Sequence, residues 1–242
     1  METTSIVFVH YGMNIPRRAL SFESLQSLYD SVSHLPCEII VVDNGGDLED
    51  SKRFVELTHK GVITHYIRNT DNLWFGRARN QAIAIASGEY IAVVDNDLIY
   101  KKGWLDKSLE VLRKVKSPKL MVTPMRVIYG HKRFNSDYSE NGESYLVNTL
   151  AGSNCWVMRR SQFDDIGEFQ DHHFSGTLWC RTYSKKGYAV IVLEERLVAD
   201  LGHKHSKTFG YVRHLKEEQR RQIIIKKKLV NGKEIVYFKG EI

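Results

Sequence analysis

Cysteine is scarce in this sequence: Cys37, Cys155 and Cys180 are the only three among 242 residues. They are widely spaced and odd in number, so they imply neither a disulfide framework nor a zinc site, and a reducing setting is expected. Long apolar runs are missing as well, and nothing approaches the roughly 20 residues that a membrane span needs. The N-terminus has no charged, then apolar, then small-residue signal pattern; Ile6–Val9 is too short for one and reads as a first strand. A cytoplasmic location follows as an expectation. There is no internal repeat and no low-complexity segment. A glycine- and lysine-rich triphosphate loop near the first strand is also lacking, which weighs against a nucleotidyltransferase.

What the chain does have is enough apolar content, 42%, to fill a core, and a charged fraction of 26% that argues against wholesale disorder. Its length suits one α/β domain with a C-terminal extension. The charge is unevenly placed. Residues 206–242 hold ten Lys/Arg and four Asp/Glu, an excess equal to the whole net charge of +6. A basic tail on a neutral body has two readings: a solvated basic helix, or a surface for an anionic partner. Membrane headgroups at the inner face, an acidic acceptor and nucleic acid would all serve as that partner, with nucleic acid the one not favoured.

The most informative stretch is Asp71–Asp97. Asp71 or Asn72 can cap a helix, and Phe75, Ala78, Ala82 and Ile85 then recur at helical spacing. Ser87-Gly88 ends that helix, with glycine free to turn left-handed. The uncharged run Tyr90–Val94 reads as a strand buried on both faces, as in a parallel sheet. It stops at Asp95-Asn96-Asp97, where an open α/β sheet binds its ligands. Two carboxylates this close repel each other, and a divalent cation with oxygen ligands removes the conflict. A run of solvated turn formers is the plain alternative.

The first hundred residues read β-α-β-α-β-α-β: strands at Ser5–His10, Glu38–Val42, Val62–Arg68 and 90–94, helices at Ala19–Val32, Ser51–Lys60 and from Leu73. Beyond Asp97 the pattern gives a helix over Trp104–Val115 and a strand over Leu120–Ile128. Tyr129–Glu143 reads as a loop, and a strand near Gly152 lies within Leu146–Met158. Helices follow at Arg160–Ile166 and Phe174–Lys186, then a strand at Tyr188–Leu193. A basic helix over Tyr211–Lys228 leads into a hairpin, Leu229–Tyr237, with an Asn-Gly turn. Arg77 and Arg79 offer cations to an anionic ligand from the early turns of the third helix.

Taken together, VVDNGG at 41–46, NLWFGRARNQA at 72–82, GEYIAVVDND at 88–97 and RRSQFDDIGEF at 159–169 resemble a family-2 glycosyltransferase of the GT-A fold. The likeness covers roughly Ser5–His205. It implies an α/β fold, a mostly parallel central sheet with helices on both faces, to which the residues beyond it add the basic C-terminal helix and small hairpin. It implies a domain over 1–205, with a nucleotide-binding half (1–100) and an acceptor-side half (101–205), and a basic extension over 206–242. The activity implied is metal-dependent, inverting transfer of a sugar from a nucleoside-diphosphate donor, UDP- or dTDP-linked. The acceptor would be a hydroxyl of a glycan, lipid-linked or cell-envelope molecule.

The resemblance also assigns residues. His10, Tyr11 and Asp43 would hold the base, while Gly76, Arg77 and Asn80 lie beside the nucleotide. Asp95, Asn96 and Asp97 would meet ribose and metal-diphosphate, with Mn²⁺ or Mg²⁺ on Asp95 and Asp97 and His203 completing the metal site. Residues Gly152 to His173, among them Trp156, His172 and His173, would shape the acceptor side. Two departures stand out. Trp74 occupies a place where the family usually has glycine. Ser175-Gly176 occupy the usual place of the carboxylate pair that supplies the catalytic base, so Asp171 becomes the candidate base. A degenerate binding protein that has lost its base is the rival reading.

Overall fold

The computed structural model describes residues 2–12, 15–124, 136–140, 143–148, 155–171, 175–201, 224–230 and 233–238. Contacts divide the chain into Met1–Leu201 and Gly202–Ile242. Within the first unit, β1 (Thr4–His10), β2 (Cys37–Asn44), β3 (His65–Asn69) and β4 (Tyr90–Val94) run parallel in the order β3-β2-β1-β4. The sheet continues through β9 (Cys155–Arg159), β6 (Leu120–Thr123), β10 (Ala189–Val192), β8 (Glu143–Asn148) and β7 (Ser136–Glu140). β9 is antiparallel to both β4 and β6, whereas β6 and β10 pair in parallel. The order reverses direction between β1 and β4, so the crevice at their C-terminal ends is a topological switch point.

The uncharged strand runs have a simple cause. Ile6, Phe8, Ile39, Val41, Ala92 and Val94 enter one core, and Val7, Val9, Ile40, Val42, Ile91 and Val93 enter the other. Both faces are therefore covered, and the alternation that marks a half-exposed strand is erased. On the first face lie α1 (Ile15–Val32), α2 (Leu48–His59) and α4 (Trp104–Lys114), through Leu25, Leu28, Phe54, Trp104 and Leu105. The second face holds α3 (Trp74–Ile85), α5 (Arg160–Ile166) and α6 (Ser175–Lys185), through Ala78, Ala82, Phe163, Ile166 and Trp179. Each fully buried Ile, Leu or Phe adds about 1.5–3 kcal/mol.

Local chemistry explains several element ends. α2 begins three residues before the expected Ser51, because Asp47 accepts hydrogen bonds from the backbone N–H groups of Glu49 and Asp50. On α3 the buried stripe is Ala78, Arg79, Ala82 and Ile83; Ile85, expected to face inward, is 47% exposed. Gly88 follows that helix and, contrary to the left-handed turn expected there, has no positive φ. It is required because a Cβ there would stand 2.6 Å from the backbone nitrogen of Ser5 and 2.7 Å from the carbonyl oxygen of Thr3. The carbonyls of Ala86 and Gly88 accept from the Arg160 guanidinium, which suits the negative end of a helix.

Beyond β4 several expectations change. Residues 136–140, read as loop, form β7, an edge strand whose register on β8 runs from Ser136↔Val147 to Glu140↔Glu143. An edge strand needs no buried apolar face, so periodicity gives no sign of it. The strand expected within 146–158 is two strands, β8 ending at Asn148 and β9 starting at Cys155. β6 ends before Pro124, which has no N–H for the ladder, and residues 125–128 of that expected strand lie outside the described residues. β5 (Leu98–Tyr100) and β11 (Val198–Asp200) form a separate antiparallel pair.

In the second unit, β12 (Ile224–Val230) and β13 (Lys233–Phe238) make an antiparallel hairpin. Residues 224–228 are therefore strand where helix was expected: the β-branched Ile224, Ile225 and Val230 favour strand, and the hairpin pairs Ile224 with Phe238 and Lys226–Val230 with Tyr237–Lys233. The rest of the expected basic helix, and the Asn231-Gly232 turn, lie outside the described residues. Among the described residues no helix is long and apolar enough to cross a membrane.

Candidate active site

Registers His10↔Asp43 and Phe8↔Val94 bring the C-terminal ends of β1, β2 and β4 alongside one another. Asp43, fully buried, ends β2. Its Oδ1 accepts from the Gly46 N–H at 2.8 Å, and its Oδ2 accepts from Ser51 Oγ at 2.7 Å and Tyr66 OH at 3.1 Å. Arg68 Nε stands 3.9 Å away. Burial pushes the Tyr66 hydroxyl up to about 12, so it stays protonated and donates. The VVDNGG glycines now have causes. Gly45 has φ +87°, and a Cβ there would meet Asn72 N at 2.8 Å; a Cβ on Gly46 would meet Asp43 Oδ1 at 2.5 Å.

Asn44 knits this strand end to the next helix. Its Nδ2 donates to Asn72 Oδ1 at 2.9 Å, and its Oδ1 accepts from Asn69 Nδ2 and the Leu73 N–H. Asn69 and Gln81 exchange two further amide hydrogen bonds. Asn72, expected as a cap, accepts from the Trp74 N–H at 2.9 Å, while the capping position itself falls on Leu73. Trp74 follows with φ +65°, a left-handed conformation that costs a side-chain-bearing residue about 1–2 kcal/mol. The glycine usual at this place would carry no such cost.

His10 does not face the crevice, contrary to the expectation for it. Its side chain is fully buried, with Nδ1 2.8 Å from Ser21 Oγ and Nε2 3.2 Å from Asp50 Oδ2. Its ring packs against Phe54 and Phe22. Burial pushes the Asp50 carboxyl up, but hydrogen bonds from His10 and Arg18 outweigh it and hold the group below its usual range. Both histidine nitrogens are thus committed to α1 and α2, and the residue braces the end of β1. Tyr11, the next residue, is half-buried.

Asp95 and Asp97 are part-exposed, at 25% and 17%, and each is met by an arginine. Arg79 Nη2 donates to Asp95 Oδ1 at 2.5 Å, and Arg17 Nη1 donates to Asp97 Oδ2 at 2.8 Å. Arg79 is 3% exposed, between Phe75 and Phe169, with its carbon 5.7 and 5.3 Å from the two ring centres. Its Nε is buried with no hydrogen-bond partner among the described residues. Arg77, expected beside the nucleotide, is exposed, while Gly76 is buried. Arg79 had a sequence signal: a cation on the buried stripe of α3 needs an anionic partner. Arg17 had none, since it lies 80 residues from Asp97.

The backbone around the two acids is also fixed. Tyr100 OH donates to the Asp95 carbonyl at 3.1 Å, and burial keeps that hydroxyl protonated. The Leu201 N–H donates to the Asp97 carbonyl at 3.0 Å, so β11 delivers the chain to this point. Asn96 is buried. His203 lies outside the described residues, as do Gly152, His172 and His173. Among the described residues no group of three His, Cys, Asp or Glu forms a metal cluster. The donor set of two oxygen-bearing carboxylates still fits Mg²⁺ or Mn²⁺, which bind through one or two carboxylates plus substrate phosphates.

Asn80 does something other than expected. Its Oδ1 accepts from the Phe169 N–H at 2.9 Å and its Nδ2 donates to the Phe169 carbonyl at 2.8 Å. The Trp179 indole adds a bond to the Gly167 carbonyl. Asn80 therefore clamps the Gly167–Phe169 turn onto α3 and spends its amide doing so. Asp171 is exposed two residues beyond that turn, a distance of at most about 7 Å along the chain. Trp156, expected to border the acceptor, is fully buried against Phe169 and Trp179 and belongs to the core. Ser175 opens α6 and Gly176 is buried, so no acid stands there.

A parallel β3-β2-β1-β4 sheet with an acidic strand end at its switch point is an open α/β arrangement that binds ligands beyond its strand ends. The pattern of the family described as Glycosyl transferase family 2 matches residues 21–189. The chain belongs to that family. Over 108 residues it is 32% identical to an uncharacterised glycosyltransferase of Methanocaldococcus jannaschii, covering 45% of this chain and 36% of that protein's length. Among solved structures it is similar to TarS (1–349) of S. aureus: TM-score 0.62, 16% identity, 98% of this chain and 97% of the other. The same protein in complex with UDP gives a TM-score of 0.61 at 18% identity, over 92% and 69% of the two chains. GalNAc-T7 with UDP, GalNAc and Mn²⁺ gives 0.60 at 11% identity, over 79% and 42%.

Proposed function

We propose that this chain transfers a sugar from a UDP- or dTDP-linked donor to a hydroxyl of a glycan, lipid-linked or cell-envelope acceptor. The observation that carries this reading is the pair Asp95 and Asp97, part-exposed at the switch point and held by arginines from α3 and α1. UDP in solved structures of similar fold supports the choice of nucleotide. The base subsite in this reading is walled by Tyr11, Arg68 and the Gly45-Gly46 turn. Internal donors fill three of roughly four acceptor positions on the Asp43 carboxylate. In this reading a base N–H donates to the fourth.

Asp95, set by Arg79, accepts from the ribose hydroxyls. Asp97, with Asp95 and with His203 two residues beyond Leu201, would hold Mn²⁺ or Mg²⁺. When bound, that ion supplies Lewis-acid neutralisation of the departing diphosphate. Asp171 takes the proton from the acceptor hydroxyl. The hydroxyl oxygen then bonds to the anomeric carbon as the bond to the diphosphate breaks, in one displacement with inversion. The basic C-terminal unit, with Lys226-Lys227-Lys228 on β12, is the proposed contact for an anionic membrane surface.

Ser175-Gly176 at the start of α6 favour one rival, a domain that binds a nucleotide sugar without turning it over. A panel of nucleotide sugars, screened for thermal stabilisation with Mn²⁺ and with EDTA, identifies the donor, since a ligand of the folded state raises Tm. Release of UDP or dTDP from the stabilising donor then establishes turnover. No stabilisation by any donor counts against the reading; stabilisation without release supports the binding-only rival.

A further inference from the structure

The two arginines on the acidic strand end are held differently. Arg79 is enclosed by aromatic rings and lies within the buried stripe of α3. Arg17 stands in the first turn of α1, and its side chain is 18% exposed beside a partner of 17%. Its Nη1, 2.8 Å from Asp97 Oδ2, takes one of roughly four lone-pair positions on the carboxylate that a divalent cation would bind. A guanidinium and a dication so close together repel, so Asp97 cannot serve both at full strength. An arginine displaced there is left beside the diphosphate, the group that its planar donors match best.

We propose that Arg17 is a positioning residue that exchanges partners. It holds Asp97 until a divalent cation and a nucleoside diphosphate arrive together, and then donates to the diphosphate oxygens. This rests on the reading of Asp97 as a metal-holding residue. The exchange makes metal binding weak on its own and cooperative with the nucleotide, because each ligand removes the obstacle to the other.

The test compares wild type, Arg17→Ala and Arg17→Lys. Free Mn²⁺ is measured by electron paramagnetic resonance without nucleotide, and UDP binding by calorimetry in Mn²⁺ and in EDTA. Arg17→Ala should bind Mn²⁺ alone about tenfold more tightly than wild type, once a cation is removed from beside Asp97. It should bind UDP in Mn²⁺ about fivefold or more weakly, having lost a charge-assisted donor. Arg17→Lys should fall between them, as a point charge without the bidentate fork; it also covers any folding defect in the alanine variant. Equal Mn²⁺ affinity in all three proteins overturns the proposal, as does tighter Mn²⁺ binding with UDP affinity unchanged. UDP affinity in wild type that is indifferent to Mn²⁺ overturns the metal reading itself and this inference with it.

Discussion

Trp74 gives a sharp test, because substituting it by the two smallest residues separates strain from packing. Trp74→Ala removes the half-buried indole but keeps a Cβ at φ +65°. Trp74→Gly removes the same indole and the strain together. Left-handed backbone costs a residue with a Cβ about 1–2 kcal/mol. Glycine gives back roughly 0.5–1 kcal/mol through its freer unfolded chain. The glycine variant should therefore be the more stable of the two by about 0.5–1 kcal/mol. Urea unfolding of both proteins reads this as a shift in midpoint at constant slope. At an ordinary helical position the order is reversed, with alanine ahead by about 1 kcal/mol. An alanine variant as stable as the glycine variant, or more so, would refute the left-handed assignment at the start of α3.

Asn80→Ala strands the N–H and carbonyl of Phe169. It should cost about 1–3 kcal/mol at about 0.5–1.5 per hydrogen bond, and hydrogen exchange at the Phe169 amide should accelerate; unchanged protection there would count against the clamp. Glu38 is buried at the opposite end of the sheet from the acids. Burial pushes its carboxyl up, but bonds from Ser5, from the N–H and hydroxyl of Ser87 and from His65 outweigh this and leave it below its ordinary value of 4.5. Its contribution is thus full above that value and fades as pH falls through the lower folded one. Glu38→Gln should lose stability at pH 7 and lose less as the pH approaches 3, a convergence that melting curves across that range would show or deny.

Much of the scaffold was legible because its signals are local. β1, β2 and β4 announce themselves through Val/Ile runs buried on both faces, and α5 has the boundaries its pattern implies. Asp95 and Asp97 stood out because they end a buried strand, where an open α/β sheet binds its ligands. The errors share a different origin. His10 looks like a ligand until Ser21 and Asp50, contributed by two other elements, take both its nitrogens. Asn80 finds its partner 89 residues away, and Arg17 finds Asp97 at 80. Trp156 reads as surface chemistry only if the stack of Phe169 and Trp179 over it is unknown. β7 is polar along its length and exists through pairing with β8. Each of these depends on a contact distant in sequence, which neither periodicity nor spacing can report.

The central claim is that the strand ends around Asp43, Asp95 and Asp97 bind a nucleoside diphosphate with a divalent ion. Calorimetry of UDP with wild type and Asp97→Ala, each in Mn²⁺ and in EDTA, tests it most directly. Wild type should bind UDP in Mn²⁺ tighter by about tenfold or more, some 1.4 kcal/mol, and Asp97→Ala should show the same weak affinity in both buffers. Equal affinity in all four measurements would contradict the account.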